Sequence, residues 1–264
     1  MSGFRSLRLL ALSAIFLFAC LPAYAAGQIG IVLLHGKTGM PGAMSNLAGS
    51  LTAAGYFVDT PEMCWSKKRI FDKSFSDCLL EVDAAVVRLK AKGASRIVVA
   101  GTSQGAMGAF GYGATRDGLA GIIGMAPAAD PANLAKYPGL AEGIDKAKSL
   151  IAGGQGDQPA QLPDIISGGK AAPVKATANI YMTFHAPDSP IATIANLTAD
   201  LMPKQKAPVL WVAGTSDPSQ AQAPAAYAAL PANPLNHYAT VDADHGGTPD
   251  ASADAIIAWL KTLP

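Results

Sequence analysis

Short, continuous apolar runs alternate along this chain with longer stretches of helical spacing. Gly30-Ile31-Val32-Leu33-Leu34 leads straight into His35-Gly36, the pattern of a strand buried on both faces. Tyr56-Phe57-Val58, after a turn at Gly55, predicts a second strand. Residues 74–92 carry Leu79, Leu80, Val82, Val86, Val87 and Leu89 at helical spacing, and Lys92-Gly93 marks the end of that helix. Arg96–Ala100 predicts a third strand, the Gly- and Ala-rich stretch from about 104 to 115 a helix, and Ala120–Met125 a fourth strand. The rhythm resumes after residue 207. Pro208–Ala213 is a strand, 219–230 an Ala-rich helix and Tyr238–Val241 a last strand. Residues 251–262 form a closing helix with Ile256, Ile257, Trp259 and Leu260 inward. Alternation of this kind predicts an α/β fold: a mostly parallel sheet with helices on both faces and its sites at the carboxyl ends of the strands.

Residues 127–206 break the alternation with Gly153-Gly154, scattered prolines and the apolar piece Asn179–Phe184. A stretch of that length exceeds an ordinary connection. It reads as a lid inserted over the catalytic edge of one domain spanning 27–264, with no repeat or low-complexity linker dividing it.

Residues 1–26 stand apart. Arg5 and Arg8 precede an apolar run from Leu9 to Leu21, and Ala23-Tyr24-Ala25 supplies a small-x-small cleavage site. A run of that length is short of the roughly 20 residues a spanning helix needs, so the segment reads as a signal peptide. Export to a bacterial periplasm or medium follows, with no stable membrane span after cleavage. A lipoprotein site at Cys20 is the weaker reading, because Phe18 is bulky for that pattern. Cleavage turns 20 basic against 19 acidic residues into 18 against 19 by removing Arg5 and Arg8. No broad field remains to attract nucleic acid. Half the residues are hydrophobic and 15% are charged, which excludes a disordered chain. Cys64 and Cys78 remain after cleavage, a possible disulfide or two buried thiols. The sequence has no C-x-x-C and no H-E-x-x-H, so neither redox nor zinc chemistry is indicated, and no cofactor is expected.

Gly101-Thr102-Ser103-Gln104-Gly105 fits G-x-S-x-G. Chance alone produces the pentapeptide in roughly one such sequence in six, so its setting carries the weight. A buried strand ends just before it and a small-residue helix begins just after, the strand–turn–helix of a nucleophile elbow. Here the sequence resembles the α/β-hydrolase superfamily over nearly all of residues 27–264. That resemblance implies a triad in the order serine, acid, histidine. Asp217, in Gly214-Thr215-Ser216-Asp217-Pro218, stands where the acid is expected, and His245, in Asp242-Ala243-Asp244-His245-Gly246, where the histidine is expected. The first strand ends in His35-Gly36-Lys37, also as in the family. The resemblance implies an acyl-enzyme mechanism. Ser103 is the nucleophile, His245 the base, Asp217 the group that orients it, and the backbone N–H groups of Lys37 and Gln104 are the oxyanion donors.

Alternatives stay open beside these. Asp217 is also a fair turn or cap residue, and Asp130 is the other candidate acid. Asp242 and Asp244 read as loop-shaping, His35 as structural, His237 as lying beside a strand, and His185 as a lid residue able to touch substrate. Lys67-Lys68-Arg69 reads first as a solvated loop and second as a contact for an anionic substrate or surface. Asn196-Leu197-Thr198 matches a glycosylation triplet, but such triplets are common and the export signal has a bacterial pattern. The expected function is therefore an exported serine hydrolase acting on a small-molecule ester. The rivals are amide or thioester cleavage or acyl transfer on the same triad, and a catalytically silent binder. Substrate identity and oligomeric state are not specified.

Overall fold

A computed structural model describes residues 28–127, 137–166, 170–185 and 201–264. In chain order the strands are β1 (Ile29–Leu34), β2 (Phe57–Asp59), β3 (Arg96–Thr102), β4 (Gly121–Met125), β5 (Pro159–Ile166), β6 (Lys170–Thr177), β7 (Val209–Gly214) and β8 (His237–Val241). The helices are α1 (Ser45–Ala53), α2 (Phe75–Ala91), α3 (Gln104–Thr115), α4 (Pro138–Ala152), α5 (Ala178–His185), α6 (Ala223–Ala228), α7 (Thr248–Ala251) and α8 (Ala253–Leu260). Six strands form one parallel sheet in the order β2-β1-β3-β4-β7-β8.

Continuous apolar runs are what a doubly covered sheet requires, and alternate residues of each strand enter different cores. Ile31, Val98, Ile123 and Leu210 pack on one face with Leu47 and Leu51 of α1 and Trp259 of α8. Val32, Val99, Ile122 and Trp211 pack on the other with Val82 of α2 and Phe110 of α3. Neither face is left for water.

Helix α2 starts where Ser74 accepts a hydrogen bond from Asp77 N at 3.2 Å, a side-chain N-cap. Two predicted helices differ from expectation. The 219–230 stretch is a short 3-10 turn, Pro218–Gln222, followed by α6, because Pro224 has no N–H to continue a helix from upstream and is tolerated in a first turn. The closing helix begins earlier, at Thr248, and is divided at Ser252 into α7 and α8. Helix α1 was not among the predicted elements.

Within the 127–206 interruption, α4 packs on an antiparallel hairpin made by β5 and β6. The apolar piece Asn179–Phe184 lies in α5. Leu140, Leu162, Tyr181 and Phe184 join the same core as α2. Phe184 lies tilted against Phe71, with ring centroids 4.2 Å apart, and meets Phe75 edge-on at 5.7 Å.

Cys64, in the loop after β2, is disulfide-bonded to Cys78 in the first turn of α2, with Cα atoms 5.7 Å apart and both side chains buried. On the chain-entropy account, closing a loop of that size stabilises the fold by about 3 kcal/mol. Reduction, or Cys64→Ser with Cys78→Ser, is expected to lower the unfolding free energy in urea by roughly that amount. An unchanged urea midpoint would show that the bridge contributes nothing.

Candidate active site

Strand β3 ends at Thr102 and α3 begins at Gln104, so Ser103 alone makes the turn, with φ 53° and ψ −117°. A non-glycine residue held there costs about 1–3 kcal/mol and persists only where its surroundings impose it. The glycines on either side explain how they do. A Cβ at Gly101 would overlap the backbone of Gly105, and one at Gly105 would overlap the carbonyls of Leu34 and His35 at the end of β1. Ser103 O accepts from Ala106 N (3.0 Å) and Met107 N (3.2 Å), which starts the helix, while Ser103 N donates to Met125 O of β4 (3.0 Å).

The β1 loop lies against this turn. A Cβ on Gly36 would stand 3.5 Å from Ser103 Cβ. His35 is fully buried: Nδ1 donates to Gly36 O (2.8 Å) and Nε2 accepts from Met63 N (3.1 Å). Burial lowers its pKa, so it is a neutral structural residue. Trp65 Nε1 donates to His35 O (2.8 Å) and Thr38 N to Trp65 O (2.9 Å). The N–H groups of Lys37 and Gln104 have no acceptor among the described residues. The Gln104 side chain is buried, with Nε2 unpartnered. Non-glycine residues with positive φ include Thr38, Ser103 and Ala126, one beyond each of β1, β3 and β4, so backbone strain gathers at the carboxyl edge.

Asp217 follows β7 and His245 follows β8, at the same edge. His245 Nδ1 donates to Asp217 Oδ2 at 2.7 Å, and Asp217 is buried while His245 is about two-fifths exposed, at 43%. The cap reading of Asp217 holds as well. Its Oδ1 accepts from Ser219 N (2.9 Å) at the head of the 3-10 turn, while Oδ2 serves the histidine. Sequence reasoning missed Ser219, whose hydroxyl donates to Asp217 Oδ1 at 2.6 Å and lies 3.3 Å from His245 Nδ1. The Asp-Pro-Ser cap pattern was its available signal. The Ser103 hydroxyl and His245 Nε2 are not hydrogen-bonded to each other, and neither has a partner among the described residues.

The remaining candidates separate clearly. Asp244 Oδ1 accepts from Gly247 N (2.7 Å) and Asp242 Oδ1 from Thr215 Oγ1 (3.3 Å), both shaping the histidine loop. His237 is exposed at the opposite, amino end of the sheet. Asp130 and Asn196 lie outside the described residues, as does the 1–26 segment. Among the described residues, no group of three His, Cys, Asp or Glu side chains converges as a metal site would.

The Lys37 side chain has a structural task. Its Nζ donates to Asp164 Oδ1 (3.0 Å), Asp164 Oδ2 (3.2 Å) and Ile165 O (3.0 Å), tying the β1 loop to β5. Asp164 is fully buried and also meets His185 Nε2 at 3.3 Å. Burial alone would raise the Asp164 pKa, but the Lys37 ammonium and the hydrogen bonds from His185 and Lys37 outweigh it and hold the carboxyl well below the ordinary range. Burial keeps His185 low and thus a neutral donor. His185 is occupied with this pair rather than exposed to a ligand.

No family model and no curated protein matches the sequence. Solved structures do match over most of the chain. A metagenome-derived lipolytic enzyme is 23% identical, with TM-score 0.56, over 88% of this chain and 91% of its own. The monoacylglycerol lipase of Paleococcus ferrophilus is 19% identical, with TM-score 0.61, over 90% and 97%. Est1E of Butyrivibrio proteoclasticus, in a structure holding ferulic acid, is 17% identical, with TM-score 0.60, over 90% of each chain.

Three titrations act in one direction. The folded pKa values of His35, His185 and Asp164 all lie below their unfolded values, so the unfolded chain binds more protons. Their stabilisation is complete above the unfolded histidine value of about 6.5 and is lost as pH falls, first through the histidines and then through Asp164. Unfolding free energy measured in urea is expected to decline from about pH 6.5 downward. Asp164→Asn, which leaves Lys37 without a counter-charge, is expected to lose about 3–5 kcal/mol at neutral pH, and Lys37→Met with Asp164→Leu to recover part of it. An Asp164→Asn protein as stable as the parent would show that the buried pair holds nothing in place.

Proposed function

We propose that this chain, which has the α/β-hydrolase fold, is a serine hydrolase that cleaves carboxylic esters through an acyl-enzyme. The observation that carries the reading is the 2.7 Å hydrogen bond between His245 and Asp217 at the sheet edge where the strained turn presents Ser103. In this mechanism Asp217 holds Nδ1–H, which leaves Nε2 of His245 bare to take the Ser103 proton. Ser103 Oγ attacks the ester carbonyl. The oxyanion turns toward the N–H groups of Lys37 and Gln104, each worth about 3 kcal/mol in the transition state. The His245 imidazolium, stabilised by Asp217, returns its proton to the departing alcohol. Water then attacks the acyl-enzyme with His245 again as base, and the acid leaves. Ser219 fixes the rotation of the Asp217 carboxylate.

A lipolytic enzyme, a monoacylglycerol lipase and an esterase among the structural neighbours support an ester substrate. The unpaired Ser103 hydroxyl agrees with a contact that tightens only when substrate excludes water. It equally favours the second reading, a silent binder, and one experiment separates the two. The 127–206 segment acts as the lid in this scheme, with Lys37 and Asp164 fixing its hairpin to the oxyanion loop. Residues 1–26 direct export, which agrees with the Cys64–Cys78 bridge. No helix among the described residues is long and apolar enough to cross a membrane.

A fluorophosphonate probe is expected to label Ser103 alone, located by mass spectrometry, and Ser103→Ala to abolish labelling. With a p-nitrophenyl ester, Ser103→Ala and His245→Ala are expected to lower kcat by roughly 10⁵ to 10⁶ and Asp217→Asn by roughly 10⁴. Ser219→Ala is expected to lower it by about tenfold, the loss of one hydrogen bond to a charged group. A folded protein that neither reacts with the probe nor turns over esters is the silent binder.

A further inference from the structure

The hydrolase reading leaves unused the basic run Lys67-Lys68-Arg69. That run and the β5–β6 hairpin enclose a groove of about 670 Å³ that begins at Thr38. We infer that this groove seats a negatively charged group of the substrate, so that the preferred esters carry an anionic head on an apolar arm. The inference rests on the ester-hydrolase reading for its connection to turnover, but its binding part stands on the groove alone.

Ile70, Ile166 and Val174 line the groove together with Lys67, Lys68 and Lys175. Among the described residues, no acidic side chain lines the groove. Arg69 is spent on its neighbours, bonding Asp72 at 2.8 Å and Glu81 at 2.6 Å. The three lysines have no acidic partner within 4.0 Å among the described residues. Like charges gathered around one cavity repel, and an anion in their midst relieves them. A volume of this order suits a small molecule, and a lining of apolar residues with exposed lysines suits an amphiphilic one. Lysine ammonium groups act as point charges, so the recognised feature is the negative charge itself, on carboxylate, sulfate or phosphate.

The loop is built to present this run. Ile70 (φ 32°) and Phe71 (φ 54°) adopt left-handed backbone that bulky residues disfavour. They are held there by Ile70 N to Ser66 O (2.9 Å), Phe71 N to Cys64 O (2.9 Å) and the bridge at Cys64. Lys67 N donates to Gly39 O (3.2 Å), which joins the basic loop to the oxyanion loop. The groove is also close to the chemistry. Thr38 lines it, Lys37 precedes Thr38, and Gly36 lies against Ser103. Successive Cα atoms are about 3.8 Å apart, so Thr38 is at most about 7.6 Å along the chain from Gly36. In this inference one arm of an ester held at Ser103 enters the groove.

The test compares p-nitrophenyl hexanoate with mono-p-nitrophenyl adipate, a neutral and an anionic ester of matched chain length. At low salt the anionic ester is expected to have the higher kcat/KM, by about tenfold, chiefly through KM. That ratio should fall toward one as salt is added and in Lys67→Ala/Lys68→Ala/Lys175→Ala. Titration calorimetry of adipate into Ser103→Ala protein is the second readout, repeated with the three lysines also replaced. Hydrolysis of both esters at equal rates, with adipate binding indifferent to the lysines, overturns the inference and leaves the hydrolase reading standing. Lysine-dependent adipate binding without turnover of either ester supports the groove and overturns the hydrolase reading. Neither turnover nor lysine-dependent binding overturns both.

Discussion

The close approach of α3 to the ends of β1 and β3 is the constraint on which the site depends. A parallel strand that must reverse into a helix within one residue can do so only if the helix start lies almost on the neighbouring backbone. Gly101 and Gly105 permit this because a Cβ at either would occupy the space of a main-chain carbonyl. Ser103 bears the strain at the end of β3, and its carbonyl starts the helix. The unpaired N–H of Gln104 belongs to the same geometry, since the first amides of a helix have no partner within it. The strained Ser103 and the unpaired Gln104 N–H, to which the proposed mechanism gives the roles of nucleophile and oxyanion donor, thus arise from one packing event.

Around that turn the edge is held by polar contacts rather than by regular structure. His35, buried and neutral, fixes the start of the β1 loop to Met63. Lys37 passes through that loop to a carboxylate buried in the hairpin. Asp217 divides its two oxygens between capping a turn and orienting His245. All but the Asp217 cap join segments far apart in the chain, so the β5–β6 hairpin and the disulfide-tied loop both influence where the β1 loop sits. A buried ion pair is a modest source of net stability. Here its larger effect is register, since a displaced hairpin leaves Lys37 and Asp164 without partners.

Much of the sheet was legible because strands buried on both faces need unbroken apolar runs, and β1, β3, β4 and β7 have them within a residue or two of the predicted limits. Helix α1 was not, because only Leu47 and Leu51 enter the core from it and a single i, i+4 pair makes a faint pattern. The β5–β6 hairpin was hidden by Pro159, Pro163 and Pro173, which a two-stranded ribbon tolerates because both of its strands are edges. By sequence Lys37 was placed only as a backbone donor, and Ser219 only at the head of the predicted 219–230 helix. Their side-chain partners depend on loops whose meeting no local pattern records.

By itself, the sequence determined the alternation of strands and helices, the turn at Ser103 with its two glycines, and the chain order of Ser103, Asp217 and His245. The first two follow from short-range rules, side-chain periodicity and the missing Cβ of glycine, and the third from the resemblance of the surrounding segments to the α/β-hydrolase superfamily. Only the tertiary structure decided that Lys37 reaches Asp164, that Ser219 shares Asp217 with His245, and that Lys67 and Lys68 face Lys175 across a groove. Those pairings join residues up to 127 positions apart. They are set by how two irregular loops and a hairpin pack over one sheet edge, where charge and shape act through space and separation along the chain carries no information.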